Sequence, residues 1–319
     1  MNDMRLDFEA ELNGLDADDW FERVDAISGE HVYFERLGEN QVAALLDAGT
    51  NLLVTFEDAE YIRKFNNGSA PRGFHYAQQE GWSHLAIIAK SESWFRDPAI
   101  YRYFDRLIDD GFFEDFYNVL FYGTHGGAYA AAAYSVAAPG CTVLALRPQA
   151  TLDPRIAGWD TRYIAQRRHD FTHRFGYSPD MIDAANHAYI VVDPLQRFDA
   201  MHAGMFTRSN VTALRCTGLG NRLDLALDAM EVHDDLIKGA MFKTLDLDMF
   251  NNAMRKRRNN PTYLRNLYSS MIKTGHPKLA ANVCAYVLRS GDDTFFARKL
   301  EELVSQGHEP STPLAISAA

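Results

Sequence analysis

Residues Val119 to Val136 read Val-Leu-Phe-Tyr-Gly-Thr-His-Gly-Gly-Ala-Tyr-Ala-Ala-Ala-Ala-Tyr-Ser-Val. A short apolar run is followed by a glycine-rich turn and then by an alanine-rich helical stretch. Gly123 and Gly127 flank the turn, and His125 stands at its tip. Glycines at such positions allow a sharp turn and a close approach of two backbones. The segment therefore predicts a strand, a tight turn and a helix whose first N–H groups have no partner within the helix.

Strand-like runs recur on both sides of this segment and alternate with helical patterns. The runs are His31 to Glu35, Asn51 to Phe56, His84 to Ala89, Val119 to Tyr122, Thr142 to Leu146, His187 to Val192 and Val211 to Cys216. Most are short and continuously apolar, as expected of strands buried on both faces of a parallel sheet. The dipeptide Asp97-Pro98 predicts a helix start, and Gly111 predicts its end. The alternation indicates an α/β class fold with a doubly wound, mostly parallel sheet.

Four regions are predicted along the 319-residue chain. They are an acidic N-terminal helical cap (1–30), an α/β domain (31–230), a helical C-terminal module (231–305) and a flexible tail (306–319). Within the helical module, residues 263–304 predict a helical hairpin, because Gly275-His276-Pro277 and Ser290-Gly291-Asp292 interrupt the helical pattern.

The charge and the apolar pattern exclude several classes of partner. A net charge of −11 argues against general binding to nucleic acid or to an anionic membrane. No apolar run approaches the length of about 18 residues needed to span a membrane, and the N-terminus is acidic, unlike a targeting peptide. We therefore expect a cytoplasmic protein. Residues 238–273 carry eight basic and two acidic side chains, which is typical of a solvated face but would also suit an acidic protein partner.

The sequence predicts no cofactor and no metal site. A strand followed by G-x-G-x-x-G is absent, as is the phosphate-binding G-x-x-x-x-G-K-[ST]. His169 and His173 are four residues apart, but no further ligand accompanies them. The three cysteines, Cys141, Cys216 and Cys284, form no C-x-x-C pair, so we expect reduced packing residues.

The order of these features resembles the α/β-hydrolase family over residues 52–222. Residues 123–131 read G-T-H-G-G-A-Y-A-A, and bacterial relatives read G-S-S-M-G-G-Y-A-A at this nucleophile elbow. Residues 148–154 read P-Q-A-T-L-D-P, similar to the P-Q-x-x-x-D-P that ends the next strand in those relatives. The resemblance implies a catalytic serine at the elbow, where His125 stands instead.

The resemblance also implies where the other two triad members belong. Asp193, after the run His187 to Val192, occupies the place of the triad acid. Asn221 follows the last strand, where the family often shows the histidine base, and asparagine cannot accept a proton near neutral pH. His202, on the next helical segment, is the alternative source of an imidazole. The elbow is thus degenerate at both the nucleophile and the base.

His125 allows three interpretations: a nucleophile, a general base or ligand contact in a different reaction, or a side chain that lines a binding cleft. Residues expected to contact a ligand beside it are Gly126, Gly127, Gln149 and Asn221. The favoured function is an α/β-hydrolase-like pseudoenzyme that binds a small or glycan-related ligand, or a protein partner through the C-terminal helices. The alternative is an active hydrolase or transferase in which His125 or His202 acts with Asp193.

A remote alternative comes from the label phosphoadenosine phosphosulfate reductase, which chains resembling this one sometimes carry. That chemistry needs an early S-G-G-K-D-S type loop and a late cysteine in a C-G-L-H context. Neither stands in this sequence.

Overall fold

The structure is a computed structural model that describes residue 12, residues 14–27 and residues 32–312. Half of the predicted acidic cap (1–11, 13 and 28–30) and the end of the predicted tail (313–319) lie outside these ranges. Within the described residues one helix of the N-terminal region is present, α1 (Ala17–Ile27).

A mixed sheet forms the centre of the molecule. Its eight strands in the described part of the chain are β1 (Val32–Leu37), β2 (Gln41–Leu46), β3 (Asn51–Asp58), β4 (Ser83–Ala89), β5 (Asn118–Thr124), β6 (Thr142–Leu146), β7 (His187–Val192) and β8 (Val211–Arg215). They lie in the order β1-β2-β4-β3-β5-β6-β7-β8. The strand β2 is antiparallel to both of its neighbours, and the remaining pairs are parallel. This order, together with a tight turn into a helix after β5, is that of an α/β-hydrolase fold and confirms the predicted fold class.

Helices connect the strands and continue after the sheet. Those before β8 are α2 (Ala59–Phe65), α3 (Arg72–Glu80), α4 (Pro98–Asp109), α5 (Gly126–Tyr134), α6 (Pro154–Ala157), α7 (Ser178–Met181) and α8 (Arg197–Ala203). Those after it are α9 (Leu223–Ala229), α10 (His233–Met241), α11 (Leu247–Ala253), α12 (Pro261–Lys273), α13 (Pro277–Ser290) and α14 (Thr294–Ser305). Short 3₁₀ turns span Asn67–Ser69, Phe112–Asp115, Ser135–Ala137, Ala165–Arg168, Ile182–Ala184 and Met254–Asn259. None of the helices in these ranges is long and apolar enough to cross a membrane.

Both faces of the sheet are covered, because successive strand side chains point to opposite sides. Phe121 of β5 packs in the core that contains α4 and α5. Its neighbours Leu120 and Tyr122 pack in the core that contains α9 and α10. A third cluster places Trp20 of α1 against β2 and α3. The sheet is therefore doubly wound, as predicted.

Two elements differ from the sequence predictions. The strand β2 was not predicted, because Val-Ala-Ala-Leu-Leu after Gln41 carries no strand alternation and suits a helix as well. Its partners are β1 and β4, so its pairing depends on contacts that no local pattern encodes. The predicted C-terminal hairpin is instead three helices, α12 to α14, which share one apolar cluster around Ala280 and Ala281. The helix predicted from Asp97 is present, and Asp97 caps it by accepting a hydrogen bond from the Ala99 amide at 2.8 Å.

The turn after β5 depends on glycines that leave no room for a side chain. A Cβ on Gly127 would lie 2.1 Å from the carbonyl oxygen of Phe56 in β3. A Cβ on Gly123 would lie 2.2 Å from the carbonyl oxygen of Gly127. The helix α5 is buried along its whole length, so these contacts fix its distance from the sheet.

We expect Gly127→Ala to lower the free energy of unfolding by about 2 kcal/mol or more, because the new methyl group clashes with backbone that cannot move cheaply. Urea denaturation measures the change. Gly291→Ala is the matched control, since Gly291 has extended backbone and a methyl group there would have no neighbouring atom within 4 Å. Equal stability of Gly127→Ala and the control would contradict the close approach.

Candidate functional site

His125 adopts the strained backbone of the turn between β5 and α5. Its φ is 54° and its ψ is −122°, a region that residues other than glycine rarely occupy. The His125 amide donates to the carbonyl of Leu146, the last residue of β6, at 3.1 Å. The imidazole therefore stands at the edge where the parallel strands end, which is where ligands bind in open α/β sheets.

Arg147 connects His125 to the position where a hydrolase would carry its base. It follows β6 directly, and only 4% of its surface is exposed. Its Nη1 lies 2.6 Å from Nε2 of His125 and also donates to the backbone carbonyl of Asn221. Its Nε donates to Oδ2 of Asp199 at 2.8 Å. The buried guanidinium thus holds His125 next to Asn221, the residues at the positions where a hydrolase carries its nucleophile and its base.

This contact fixes the protonation of His125. A guanidinium has only donors, so Nε2 must accept the hydrogen bond and the ring proton must reside on Nδ1. Burial, assisted by the charge of Arg147, lowers the pKa of His125 to about 3. The ring is neutral near pH 7, and its lone pair is engaged by a permanent cation. His125 can therefore offer an N–H donor, but its Nε2 is not free to take a proton.

Asp193 binds backbone amides and neither of the predicted histidines. Its carboxylate accepts from the amides of Leu195 (3.0 Å), Gly218 (3.1 Å) and Gly220 (2.7 Å). Within the described residues, no imidazole is among its partners. By binding these amides, the carboxylate orders the loop between β8 and Asn221. The role of Asp193 is therefore structural. The pairing of Asp193 with His125 or His202, on which the alternative prediction depends, is not present.

His202 belongs to a separate buried network. Its Nδ1 accepts from the amide of Ala150 at 3.1 Å, so its Nε2–H donates to Asp160, also at 3.1 Å. The guanidinium of Arg162 makes three hydrogen bonds to the carboxylate of Asp160 and donates to Asp199 at 2.6 Å. Through Asp199 this network joins Arg147. His202 is fully buried, and it positions this network instead of facing a cleft.

The predicted ligand contacts divide into two groups. Gly126 and Gly127 begin α5 and line the same cleft as His125, and Asn221 lines the cleft on the other side. Gln149 is fully buried and is not among the residues that line either cleft. Both polar atoms of its side-chain amide lack a hydrogen-bond partner within the described structure. Its predicted role as a ligand contact receives no support from this position.

Two clefts of opposite charge meet at His125. The first, here called the acidic cleft, has a volume of about 230 Å³. Its carboxylates are Glu57, Asp58, Glu60, Glu92 and Asp224. The second, here called the arginine cleft, has a volume of about 320 Å³. Its cations are Arg147, Arg162, Arg197 and Arg222. A ligand at His125 would thus meet negative charge on one side and positive charge on the other.

Asp224, near the start of α9, is a buried carboxylate that forms no hydrogen bond to another residue in the described part of the chain. Only 3% of its surface is exposed. Burial raises its pKa from 3.8 to about 6, against the opposing effect of nearby backbone amides. Burial, together with neighbouring carboxylates led by Glu60, also raises the pKa of Asp58 to about 7.

A chain of side chains behind the acidic cleft was not predicted. The hydroxyl of Tyr122 lies 2.8 Å from Nε2 of His233, and Nδ1 of His233 lies 2.7 Å from Asp228. Arg72 binds the same carboxylate through two hydrogen bonds, at 2.7 and 3.2 Å. Tyr122 and Arg72 line the acidic cleft. The arrangement is a hydroxyl, an imidazole and a carboxylate in sequence, which is the order of groups in a catalytic triad.

Sequence reasoning could have found one of these residues. Arg147 directly follows a predicted strand, so it had to lie at the same edge as His125. Asp224 and His233 carry no such signal, because they follow the last strand in helical segments. No group of three or more histidine, cysteine or acidic side chains suited to a metal ion occurs among the described residues.

Comparison with protein-family models found no match, and comparison with curated proteins found none. Several solved structures are similar in fold. Est1E from Butyrivibrio proteoclasticus is 14% identical, with a TM-score of 0.41, 66% of this chain and 98% of that chain covered. A Pyrobaculum calidifontis esterase is 14% identical, with a TM-score of 0.43 and coverage of 77% and 100%. The capsule O-acetyltransferase of Neisseria meningitidis serogroup A is 11% identical, with a TM-score of 0.38 and coverage of 58% and 86%. These similarities concern the fold alone, which in this chain is defined by the strand order and by the turn between β5 and α5.

We expect Asp224→Asn to stabilise the protein at high pH. Because the pKa of Asp224 is about 6 in the folded state, against an ordinary value of 3.8, the unfolded chain releases this proton first. Stability is therefore lost as pH rises from about 4 to about 6, whereas asparagine stays neutral. The gain in free energy of unfolding should be about 2–3 kcal/mol at pH 8, should fall mainly between pH 6 and pH 4, and should nearly vanish below the ordinary pKa of 3.8. Urea titrations across this range measure it. Asp248→Asn, at an exposed position on α11, should show no gain, and a gain for Asp224→Asn that is independent of pH would contradict the unpaired charge.

Proposed function

We propose that this chain is a ligand-binding protein built on an α/β-hydrolase fold, in which His125 contacts a small or glycan-related ligand and performs no serine-hydrolase chemistry. The observation that carries the proposal is the hydrogen bond from Arg147 to Nε2 of His125. It occupies the lone pair that a base or nucleophile would need.

The side chains that acyl transfer requires are not present at the elbow and at the base position, which supports this proposal. A hydrolase of this fold needs a nucleophile at the elbow and an imidazole that removes its proton. Here the elbow carries an imidazole without a free lone pair at Nε2, and the base position carries Asn221. Asn221 accepts a hydrogen bond from Arg147 through its backbone carbonyl.

Binding has its own support in the surroundings of His125. The Nδ1–H of His125 is a fixed donor at the junction of the acidic and arginine clefts. Gly126 and Gly127, which line the acidic cleft, belong to the first turn of α5, where N–H groups have no intrahelical partner. A polar ligand would find donors at the elbow and charges of both signs beside it. A cytoplasmic location and a protein partner on the C-terminal helices remain predictions.

A second candidate function is a hydrolase or transferase that uses the relay behind the acidic cleft. Asp228 accepts from Nδ1–H of His233, which leaves Nε2 to accept the hydroxyl proton of Tyr122. Burial opposes this use, because it raises the pKa of Tyr122 well above that of a free phenol. We therefore rank this candidate second.

A panel of fluorogenic esters with short and long acyl chains separates the two candidates. We expect wild type, His125→Ala and His125→Ser to show no turnover above the uncatalysed rate, because a serine at position 125 would still lack a base. Tyr122→Phe should behave in the same way. A purified esterase of the same fold serves as the positive control for each substrate.

Turnover by wild type that falls at least about 100-fold in His125→Ala would overturn the binding proposal, since removing a general acid or base costs this much. Turnover that survives in His125→Ala and is lost in Tyr122→Phe would instead establish the second candidate. Circular dichroism spectra of each variant show whether a loss of rate reflects a loss of fold.

A further inference from the structure

We propose that the acidic cleft binds a primary organic ammonium group, and that the carboxylate of Asp224 is its counter-ion. This inference rests on the proposed function, because it names the chemical class that one side of the His125 site accepts. The key observation is a buried carboxylate in the lining of the cleft, both of whose oxygens lack a hydrogen-bond partner among the described residues.

Asp224 contrasts with Asp228, one turn further along α9. Asp228 is bound by Arg72 and by His233, so its charge and its acceptors are satisfied. Asp224 is more deeply buried and has neither partner within the described structure. A buried polar group without a hydrogen bond costs folding free energy, and a charged one costs more. A donor from outside the chain would remove this cost in the bound state.

The charge of the acidic cleft favours a cation. Five carboxylates line it, against the two basic side chains Lys64 and Arg72. Arg72 is bound to Asp228, and Lys64 lies over the ring of Phe65, 5.3 Å from its centroid. Neither is hydrogen-bonded to Asp224. Burial raises the pKa of Asp58, and repulsion among these carboxylates raises it further. A positive ligand relieves this repulsion, so the cleft attracts cations.

Hydrogen bonding and size narrow the cation to a primary ammonium. The oxygens of Asp224 need donors, which an ammonium supplies through three N–H groups and a quaternary ammonium does not supply at all. The volume of about 230 Å³ admits a small ligand. Buried rings of Phe56 and Phe95 also line the cleft and can contact an alkyl chain.

Three probes of similar size separate charge from hydrogen bonding: n-butylammonium, tetramethylammonium and 1-butanol. Ligand-observed NMR titration measures the dissociation constant of each for the full-length protein. We expect n-butylammonium to bind at least tenfold more tightly than 1-butanol, which lacks the charge, and than tetramethylammonium, which lacks donors.

Two variants locate the site. Asp224→Asn keeps the shape of the side chain and removes its charge, so the dissociation constant of n-butylammonium should rise at least tenfold. Asp248→Asn removes one exposed carboxylate far along the chain and should leave the constant unchanged. The comparison among the three probes on wild type stands even if Asp224→Asn does not fold.

Several results would overturn the inference: equal binding of n-butylammonium and 1-butanol, equal binding of tetramethylammonium, or unchanged affinity in Asp224→Asn. Failure here is distinguishable from failure of the proposed function. Absence of ammonium binding together with absence of ester turnover rejects only the ammonium class. Ester turnover that depends on His125 rejects the proposed function, whichever probe binds.

Discussion

The guanidinium of Arg147 is the constraint on which the candidate site depends. It is buried at the end of β6 and binds His125, the carbonyl of Asn221 and the carboxylate of Asp199 at once. A buried cation must be paired and have its donors satisfied, because its desolvation costs several kcal/mol. Asp199 supplies the charge, and Arg162 shares that carboxylate from the opposite side. The tautomer of His125 follows from this arrangement, and burial together with the charge of Arg147 keeps the ring neutral. Arg147 also holds the loop after β8 at Asn221, while Asp193 binds the amides of this loop.

The sequence predicted most of the sheet because its signals are local. Glycines at 123 and 127 mark a close approach of α5 to the sheet, and the structure has backbone oxygens where their side chains would lie. The strand β2 was missed because its local pattern suits a helix, and only pairing with β1 and β4 makes it a strand. The sequence predicted the break at Ser290-Gly291-Asp292 but assigned the residues on both sides of it to one hairpin, whereas they form separate helices, α13 and α14.

The site was predicted less completely because hydrogen-bond partners depend on tertiary geometry. The strand order places the ends of β5, β6, β7 and β8 at one edge, so the sequence could bring His125, Asp193 and Asn221 to the same region. It could not show that Asp193 would bind the amides of Gly218 and Gly220. Nor could it show that His202 would pair with Asp160, because residue type and spacing do not encode side-chain orientation.

The strained backbone of His125 does not by itself indicate catalysis. Strain persists wherever the surrounding structure determines the conformation more strongly than local preference does. Around His125 the conformation is held by the hydrogen bond from the His125 amide to the carbonyl of Leu146. The close packing of Gly126 and Gly127 against neighbouring backbone also holds it. These contacts belong to the sheet and to α5 and would hold the turn whatever side chain stood at its tip. The elbow geometry is therefore a property of the fold, whereas the chemistry at position 125 is set by Arg147.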